Sequence, residues 1–287
     1  MKKNIAIIMG GYSSEVAISL KSGNVVYQHL DKNKYNTYKV HILKEKWVLV
    51  DDDNLEYTIN KDDFSAIVNH QKIIFDAVFN AIHGAPGENG AILAYFDLIN
   101  LPYSSAPFYQ MALTFNKRDT LSAVKAYNIP TAKSIYINKG DTINVDTIIK
   151  SVGLPCFVKP NNAGSSFGIS KVHNKEGIIP AIETAYKEDN EILIESFLEG
   201  TEVSVGVIQY KGETKVLPIT EIVSENDFFD YEAKYLGKSE EITPARLSKD
   251  QEERVNTVAK KVYEVLNMSG FSRSEYILVN GEPHFLK

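Results

Sequence analysis

The sequence predicts a combined α/β and α+β fold, in which an N-terminal open and mostly parallel sheet precedes short antiparallel strands. Residues 5–9 form a continuous apolar run, which is typical of a strand buried on both faces. Residues 75–81 form a second buried strand. Each of these strands leads into a Gly-rich turn and a helical pattern, an order that favours a parallel sheet. From residue 192 onward the strands are short and closely spaced, which favours an antiparallel sheet.

The remaining elements follow from apolar periodicity. The predicted strands lie at 5–9, 38–43, 47–50, 75–81, 134–137, 156–159, 169–172, 192–195, 203–209, 216–219, 276–279 and 283–287. The predicted helices lie at 16–30, 91–99, 112–127, 178–186 and 249–266. Asn280-Gly281 between two apolar runs indicates a hairpin. We expect the Gly-rich turns after the strands at 5–9 and 75–81 to lie at the carboxyl edge of the sheet, where ligands bind in such folds.

Composition narrows the class of protein. The chain has 287 residues, with 31 Lys and Arg against 37 Asp and Glu, so the formal net charge is −6. This mild acidic excess argues against general binding to nucleic acid or anionic membranes. The single cysteine, Cys156, excludes an intramolecular disulfide framework. The first apolar run is too short for a signal-peptide core, and no stretch is long enough to span a membrane, so we expect the cytosol.

Two glycine motifs invite familiar interpretations. Gly237-Lys238-Ser239 resembles the end of a P-loop, but Glu232 stands where the first glycine is required. The residues at 164–168 fit G-x-S-x-G, the nucleophile elbow of hydrolases, which needs a strand before it and a helix after it. Here a strand is predicted on both sides, which weakens that interpretation. A Gly/Ser loop between strands suits a phosphate chain, although an ordinary flexible hairpin remains open.

Charged side chains at strand ends are the next candidates. Lys159 directly precedes the Gly/Ser loop, where a lysine is either an edge residue or a phosphate ligand, and the adjoining loop favours the ligand. Glu195 and Glu202 either accept hydrogen bonds from a nucleoside or merely end their strands. Lys234 and Tyr235 lie in an aromatic and charged segment that could serve phosphate and substrate or simply pack its rings.

Arg273 and Glu275 alternate on a late predicted strand, so both point to one face. An arginine there can stabilise an oxyanion, and a carboxylate beside it can hold Mg²⁺. A surface ion pair, which contributes little to stability, is the alternative.

Taken together, the motifs resemble those of the D-alanine–D-alanine ligases, a family of the ATP-grasp superfamily, and the resemblance runs in order along the whole chain. The motifs that carry it are Met9-Gly10-Gly11-Tyr12-Ser13-Ser14-Glu15, His83-Gly84-Ala85-Pro86-Gly87-Glu88-Asn89-Gly90, Lys159-Pro160 with Gly164-Ser165-Ser166-Phe167-Gly168, Ile194-Glu195, Tyr231-Glu232-Ala233-Lys234-Tyr235 and Gly270-Phe271-Ser272-Arg273. The resemblance implies an ATP-grasp fold behind an N-terminal open-sheet domain. It also implies ligation of two D-alanines through an acyl phosphate, for peptidoglycan precursor synthesis.

The resemblance assigns nucleotide contacts to nine residues. The phosphates would be bound by Lys117, Lys159 and Lys234, and Ser166 would belong to a lid that covers them. Adenine would be recognised by Glu195 and by the backbone of Phe197 and Leu198. Glu202 would bind the ribose hydroxyls, and Phe228 would pack on the nucleoside. Phosphoryl transfer needs positioning and charge neutralisation rather than a protein nucleophile, which agrees with several lysines and Gly-rich turns.

The resemblance also implies the residues that handle D-alanine. Glu15 would anchor the ammonium of the first D-alanine, and His83 would lie close to that substrate. Glu15, Ser165 and Tyr235 would form a group that orients substrate and helps deprotonate the second amine, and Arg273 would stabilise the oxyanion. Relatives that make a D-alanine–D-lactate ester tend to lack the tyrosine, so Tyr235 favours a dipeptide-forming enzyme.

Two departures from the family pattern concern the metal, Mg²⁺ or Mn²⁺. The family usually has Asp where this chain has Glu275, and by alignment Lys287 falls at the position of a metal-ligating Glu. The sequence therefore shows one of the expected metal ligands. We expect either an incomplete C-terminal end or an inactive form, and truncation is favoured.

The expected organisation is three lobes: an N-terminal α/β substrate-binding domain at 1–103, a central subdomain with the phosphate lid at 104–191, and a C-terminal subdomain at 192–287. The expected partners are ATP and D-alanine, in a homodimer without nucleic acid or membrane. The alternatives are another ATP-grasp carboxylate–amine ligase, and a non-catalytic nucleotide-binding form motivated by the missing metal ligands.

Overall fold

The structure is a computed structural model that describes residues 2–224 and 239–287. The chain divides into two compact units, Met1–Ala112 and Leu113–Lys287. None of the helices within the described residues is long and apolar enough to cross a membrane.

A seven-stranded sheet forms the centre of the first unit. The elements of this unit are β1 (Lys3–Gly10), α1 (Val16–His29), β2 (Tyr35–Ile42), β3 (Trp47–Val50), β4 (Glu56–Asn60), β5 (Ser65–Val68), β6 (Gln71–Ile73), β7 (Ala77–Asn80), α2 (Ala91–Leu98) and α3 (Phe108–Phe115), the last of which crosses into the second unit. The strand order is β6-β5-β4-β3-β2-β1-β7.

The sheet of the first unit is mixed, so the prediction of a mostly parallel sheet is only partly correct. β1 pairs in parallel with β2 and β7, as expected for strands joined by helical crossovers. From β2 to β6 each strand pairs antiparallel with the next. The sequence does not predict β4 to β6, which have only three to five residues each and lie towards one end of the sheet.

The core of the first unit confirms the prediction that β1 is buried on both faces. Residues 6–9 of β1 are fully buried, as a continuous apolar run predicts. Aromatic rings fill the space under α2, where Phe64 and Phe96 meet edge to face with their centroids 4.8 Å apart.

The second unit contains two sheets. Its elements are α4 (Lys117–Lys125), β8 (Ser134–Asn138), α5 (Val145–Val152), β9 (Cys156–Pro160), β10 (Ser170–Val172), a 3₁₀ turn (Lys175–Gly177), α6 (Ile178–Ala185), β11 (Glu191–Ser196), β12 (Thr201–Tyr210), β13 (Glu213–Val216), β14 (Thr220–Ser224), β15 (Ser239–Ile242), α7 (Lys249–Val265), β16 (Phe271–Val279) and β17 (Glu282–Phe285).

The first of these sheets has four strands in the order β10-β9-β11-β8. All its pairings are antiparallel. One face carries Val158, Ile192 and Ile194, which pack against α5 and α6. Because side chains alternate along a strand, Lys159 and Glu195 lie on the opposite face. The expected boundary at 191/192 falls inside this sheet, since residues 192–196 pair with β9 and β8 rather than with later strands.

The larger sheet of the second unit runs β15-β14-β12-β16-β17, with β13 paired to the far part of β12. α7 packs Val255, Ala259 and Val262 against this sheet. Ser248 and Gln251 form a capping box at the start of the helix, which satisfies backbone groups there. The hairpin predicted at Asn280-Gly281 is confirmed, with both residues at positive φ.

The helix predicted over 112–127 is wrong as a single element, because Asn116 interrupts it. Asn116 has extended backbone angles, and its side chain accepts a hydrogen bond from the backbone N–H of Asp119. The residue therefore caps α4 and separates it from α3. As a result Lys117 is the first residue of a helix rather than an interior one.

Candidate active site

Two Gly-rich turns of the first unit lie side by side because they follow neighbouring parallel strands. β1 and β7 pair directly, and their carboxyl ends lead into residues 10–15 and 81–90. The backbone N–H of Tyr12 donates to the carbonyl of Ala85 over 2.7 Å. The hydroxyl of Ser13 donates to the carbonyl of His83 over 3.2 Å. The prediction that both turns meet at one edge of the sheet is confirmed.

Glu15 is buried where the first turn enters α1, with 3% of its surface exposed. Its backbone N–H donates to the Ser13 hydroxyl over 3.3 Å. Gly84 has a φ of +71°, and a Cβ atom there would lie 2.4 Å from Ser13 Oγ and 3.1 Å from Glu15 Oε2. The glycine therefore permits the close approach that holds Glu15 in the turn.

His83 is half-buried in the second turn, and its Nε2 atom lies 3.1 Å from Ser22 Oγ on α1. Only one tautomer donates to the hydroxyl at that nitrogen, so this contact orients the ring and couples its tautomer to the serine. Glu88 accepts a hydrogen bond from the backbone N–H of Gly84 over 2.9 Å, which closes the turn on its other side.

A cleft of about 490 Å³ lies in the second unit, within the range of small-molecule sites. Its walls come from both sheets of that unit. Nine of the predicted site residues line it: Lys117, Lys159, Ser165, Ser166, Glu195, Phe197, Leu198, Glu202 and Glu275. Residues scattered over 159 positions of sequence therefore converge on one cavity, which supports their assignment to one ligand.

An ion pair occupies one wall of the cleft. The Nζ atom of Lys159 lies 2.7 Å from Glu195 Oε2, and both residues are at least nine-tenths buried. The pair arises from register, because Lys159 lies opposite Leu193 and Glu195 follows on the same face two residues later. A buried charged group needs such a partner, and the pair provides one to each residue.

Lys117 presents a second ammonium group to the cleft from the first turn of α4. Its Nζ atom donates to the carbonyls of Asn161 and Ala163 over 3.1 and 2.7 Å. Burial lowers the pKa of Lys117 well below its ordinary value, and the charges of Lys287 and Lys159 lower it further. Glu195 and Asp189 act in the opposite direction. An anion entering the cleft would stabilise the charged form of this lysine.

The loop between β9 and β10 forms another wall. β10 follows it as a strand, so the interpretation of 164–168 as a hydrolase elbow is wrong. Ser165 and Ser166 have φ values of 49° and 60°, a left-handed conformation that L-residues adopt only locally. Consecutive N–H groups in such a turn can form a concave nest for anions. The backbone of this loop is therefore compatible with the phosphate-loop interpretation.

The floor of the cleft contains Glu202 of β12 and Glu275 of β16. Ser204 lies opposite Glu275 in the ladder, so Glu202 and Glu275 point to the same face. Arg273 pairs with Glu275, with Nη2 and Oε1 3.1 Å apart. The Arg273 side chain is 57% exposed, whereas that of Glu275 is 12% exposed. The alternation predicted for these two residues is confirmed, and their ion pair is present.

The described residues do not form a metal centre by themselves. Within 2–224 and 239–287, no group of three His, Cys, Asp or Glu side chains is placed to hold a metal ion. Glu275, the predicted first ligand, already faces Arg273. A divalent cation would therefore need further oxygen ligands, such as phosphate and water.

Three predicted site residues, Phe228, Lys234 and Tyr235, lie outside the described residues. Within the described part, the structure adds a pair that the sequence did not suggest. Glu221 and Arg246 both line the cleft and share two side-chain hydrogen bonds of 2.9 and 2.7 Å. No sequence signal links them, because they lie on separate segments that only the fold brings together.

Comparison with known proteins identifies the family. The family model "D-ala D-ala ligase N-terminus" matches residues 4–106, and the model "D-ala D-ala ligase C-terminus" matches residues 123–287. The chain belongs to the D-alanine–D-alanine ligase family. A family member from Flavobacterium johnsoniae, named D-alanine--D-alanine ligase, is 68% identical over 285 residues, which is 99% of this chain and 88% of the relative.

Solved structures agree with this family. The VanG D-Ala:D-Ser ligase from Enterococcus faecalis has a TM-score of 0.82 at 30% identity, covering 99% of this chain and 89% of that one. A D-alanine--D-alanine ligase from Bacillus anthracis complexed with ATP has a TM-score of 0.75 at 27% identity, covering 99% and 85%. The ATP-grasp fold expected from the sequence motifs is confirmed.

Proposed function

We propose that this protein joins two molecules of D-alanine into D-alanyl-D-alanine at the expense of ATP, for peptidoglycan precursor synthesis. The observation that carries the proposal is the cleft of the second unit, where Lys117, Lys159 and a Gly/Ser loop converge. Membership of the ligase family and 68% identity to a named ligase support the choice of substrate.

ATP is proposed to bind in this cleft with its phosphates towards Lys117 and Lys159. Both ammonium groups are held in a partly dehydrated environment, where their attraction to phosphate is stronger than in water. Ser166 and nearby N–H groups are proposed to cover the phosphates as a lid, and the segment at 234 to supply a further lysine. Glu195, the backbone of Phe197 and Leu198, Glu202 and Phe228 are proposed to bind the nucleoside.

The amino-acid substrates are assigned to a different set of residues. Glu15 is proposed to anchor the ammonium of the first D-alanine, and its burial supports this because a buried carboxylate attracts a cation strongly. His83 is proposed to contact the same substrate. Ser165 and Tyr235 are proposed to orient the substrates and to assist removal of a proton from the second amine.

The proposed reaction has two steps. A carboxylate oxygen of the first D-alanine attacks the γ-phosphorus, the bond to the β-phosphate oxygen breaks, and ADP and an acyl phosphate form. The deprotonated amine of the second D-alanine attacks the acyl carbon, and collapse of the tetrahedral intermediate releases inorganic phosphate. Arg273 is proposed to stabilise the oxyanion of that intermediate. Glu275 is proposed as a metal ligand, and no step is derived through the metal.

Three further assignments belong to the proposal. The chain is proposed to divide into three lobes at 1–103, 104–191 and 192–287, and the pairing of β11 with β9 and β8 favours a last boundary after residue 196. The assembly is a homodimer, and the compartment is the cytosol.

The proposal is tested by phosphate release from ATP and Mg²⁺ with D-alanine, with the product identified by mass spectrometry. We expect phosphate and D-alanyl-D-alanine in equal amounts. Release with a different amino acid but not with D-alanine would indicate another carboxylate–amine ligase; the D-Ala:D-Ser neighbour makes D-serine the first alternative to try. ATP binding without turnover would indicate a nucleotide-binding protein.

A further inference from the structure

Asn161 lies immediately after β9, at the point where the chain leaves the sheet to form the Gly/Ser loop. The residue is completely buried. Its side-chain Nδ2 donates to Glu191 Oε2 over 2.7 Å, and its Oδ1 accepts from the backbone N–H of Arg118 over 3.0 Å. Its backbone N–H donates to the carbonyl of Glu191 over 2.9 Å. Both ends of the side-chain amide and the backbone N–H are therefore fixed by the protein.

The remaining polar group of Asn161 is its carbonyl, which accepts from Lys117. The Nζ atom of Lys117 lies 3.1 Å from this oxygen, and its backbone N–H donates to the same oxygen over 3.4 Å. One asparagine thus contacts both the backbone and the ammonium of the lysine. Two N–H donors of the ammonium go to the carbonyls of Asn161 and Ala163, which leaves the third as the donor suited to a phosphate oxygen.

Arg118 connects the same junction to the four-stranded sheet through hydrogen bonds. Its guanidinium donates to the carbonyls of Ile137 and Ile192, on β8 and β11. Its Nη1 atom also lies 3.9 Å from Glu191 Oε2, the atom that accepts from Asn161. The start of α4, the end of β9 and the start of β11 therefore meet at Asn161, Glu191 and Arg118.

We propose that Asn161 is a positioning residue for ATP binding, which holds the ammonium of Lys117 at the phosphate end of the cleft. This inference rests on the proposed function, because it assumes that Lys117 binds phosphate. Asn161 lies behind the lysine and acts through it. The first N–H groups of a helix have no partner within the helix, and α4 begins at Lys117. The N–H of Lys117 donates to the backbone carbonyl of Asn161, and the N–H of Arg118 donates to its side-chain Oδ1. The side-chain amide therefore helps to fix the start of α4, and with it the position of Lys117.

The physical reason for such a residue is the unfavourable environment of Lys117. A poorly hydrated ammonium near other cations tends to move towards water or lose its proton. Two fixed carbonyl acceptors oppose that movement, so the lysine is in place before the nucleotide arrives. Preorganised charge binds better because less ordering remains to be done on association.

The first experiment replaces Asn161 with Asp, which sets a carboxylate against that of Glu191. ATP binding is measured by isothermal titration calorimetry, and KM for ATP and for D-alanine by phosphate release. We expect the Kd and KM for ATP to rise about tenfold, the effect of one lost interaction between polar groups. The KM for D-alanine should change by less than about twofold, because that substrate does not depend on Lys117.

A reciprocal exchange separates positioning from misfolding. In the double variant Asn161→Asp with Glu191→Gln, the donor and acceptor are swapped while the net charge of the pair is unchanged. We expect ATP affinity to return to within about threefold of the original, since the hydrogen bond is restored. Failure of the swap to recover affinity, in a protein that folds, would overturn the proposal.

Val172→Ala supplies the matched control for stability. Val172 is buried in the same subdomain core but is not part of the Asn161 network. Its truncation should lower the melting temperature with little change in ATP affinity. If Asn161→Asp alters ATP binding no more than Val172→Ala does, the positioning role is rejected. If the unaltered protein binds ATP but makes no dipeptide, the proposed function fails while calorimetry still tests Asn161.

Discussion

Lys159 and Glu195 form a buried ion pair on the wall of the cleft, with 2.7 Å between Nζ and Oε2. The two residues were separate candidates in the sequence, one for phosphate and one for adenine. Their contact means that neither acts independently, because any ligand that approaches Lys159 changes the electrostatic environment of Glu195. Mutation of either residue alone therefore combines an effect on the ligand with an effect on folding.

Lys159→Met should reduce both stability and ATP affinity, whereas the double variant with Glu195→Gln should restore stability alone. Removing one partner leaves a buried charge uncompensated, which costs about 3–5 kcal/mol. Removing both charges relieves that cost but not the loss of a phosphate ligand. Chemical denaturation and calorimetric titration with ATP measure the two effects. Full recovery of ATP affinity in the double variant would contradict the phosphate role of Lys159.

ATP binding should be coupled to proton uptake at Lys117. Burial lowers the pKa of this lysine in the free protein, and phosphate should raise it by stabilising the charged form. At a pH between the two values, the lysine is neutral when free and protonated when bound. Affinity should therefore fall as the pH rises through the lowered pKa. Calorimetry in buffers of different ionisation enthalpy measures the protons taken up, and Lys117→Met should reduce that number by about one.

Gly84→Ala should weaken D-alanine binding and leave ATP binding in place. The added Cβ would lie 2.4 Å from Ser13 Oγ in a turn with a φ of +71°, so the turn that holds Glu15 must shift. Gly212→Ala is the matched control, because its φ is +83° with no atom within 4 Å of the new Cβ. The KM values for ATP and for D-alanine are measured in both variants. Gly212→Ala introduces similar backbone strain, but its KM for D-alanine should not rise.

Glu221→Gln should change the acid dependence of stability. The hydrogen bonds from Arg246, above all, lower the pKa of Glu221. A lowered carboxyl pKa stabilises the fold above the unfolded-state pKa, and this contribution is lost as the pH falls through the folded-state value. The variant should lose only about 1 kcal/mol of unfolding free energy at neutral pH. The loss is small because the Arg246 side chain is 62% exposed and solvent weakens the ion pair. Below both pKa values the unfolding free energies of the two proteins should converge. If their curves of unfolding free energy against pH instead run parallel, the Glu221 carboxylate does not contribute in this way.

Much of the fold was predictable because strong apolar patterns mark it. The buried run of β1, the helix α1, the hairpin at 280–281 and the long helix α7 all appear close to their expected positions. The elements that were missed are short, with three to eight residues each, and they include α5, β14 and β15 as well as β4 to β6. β4 to β6 extend over only three to five residues each, which is too short for a clear periodicity, and Asn116 interrupts a helical pattern through a local cap that competes with continuation of the helix.

The candidate site was predictable as a set of residues but not as a set of contacts. The motifs place Lys117, Lys159 and Glu195 at one nucleotide, and the structure brings all three to one cleft. The pairing of Lys159 with Glu195 depends on strand register, which a single sequence does not specify. The role argued for Asn161 depends on three elements meeting at one buried amide.

The sequence by itself determined the family, the nucleotide-binding motifs and the order of the main elements, because these depend on residue type and local spacing. Only the tertiary structure decided which charges meet. Lys159 and Glu195 lie 36 positions apart, and Glu221 and Arg246 lie 25 apart. Contacts over such separations form when sheets pair and pack, since burial then forces each charged or polar group to find a partner.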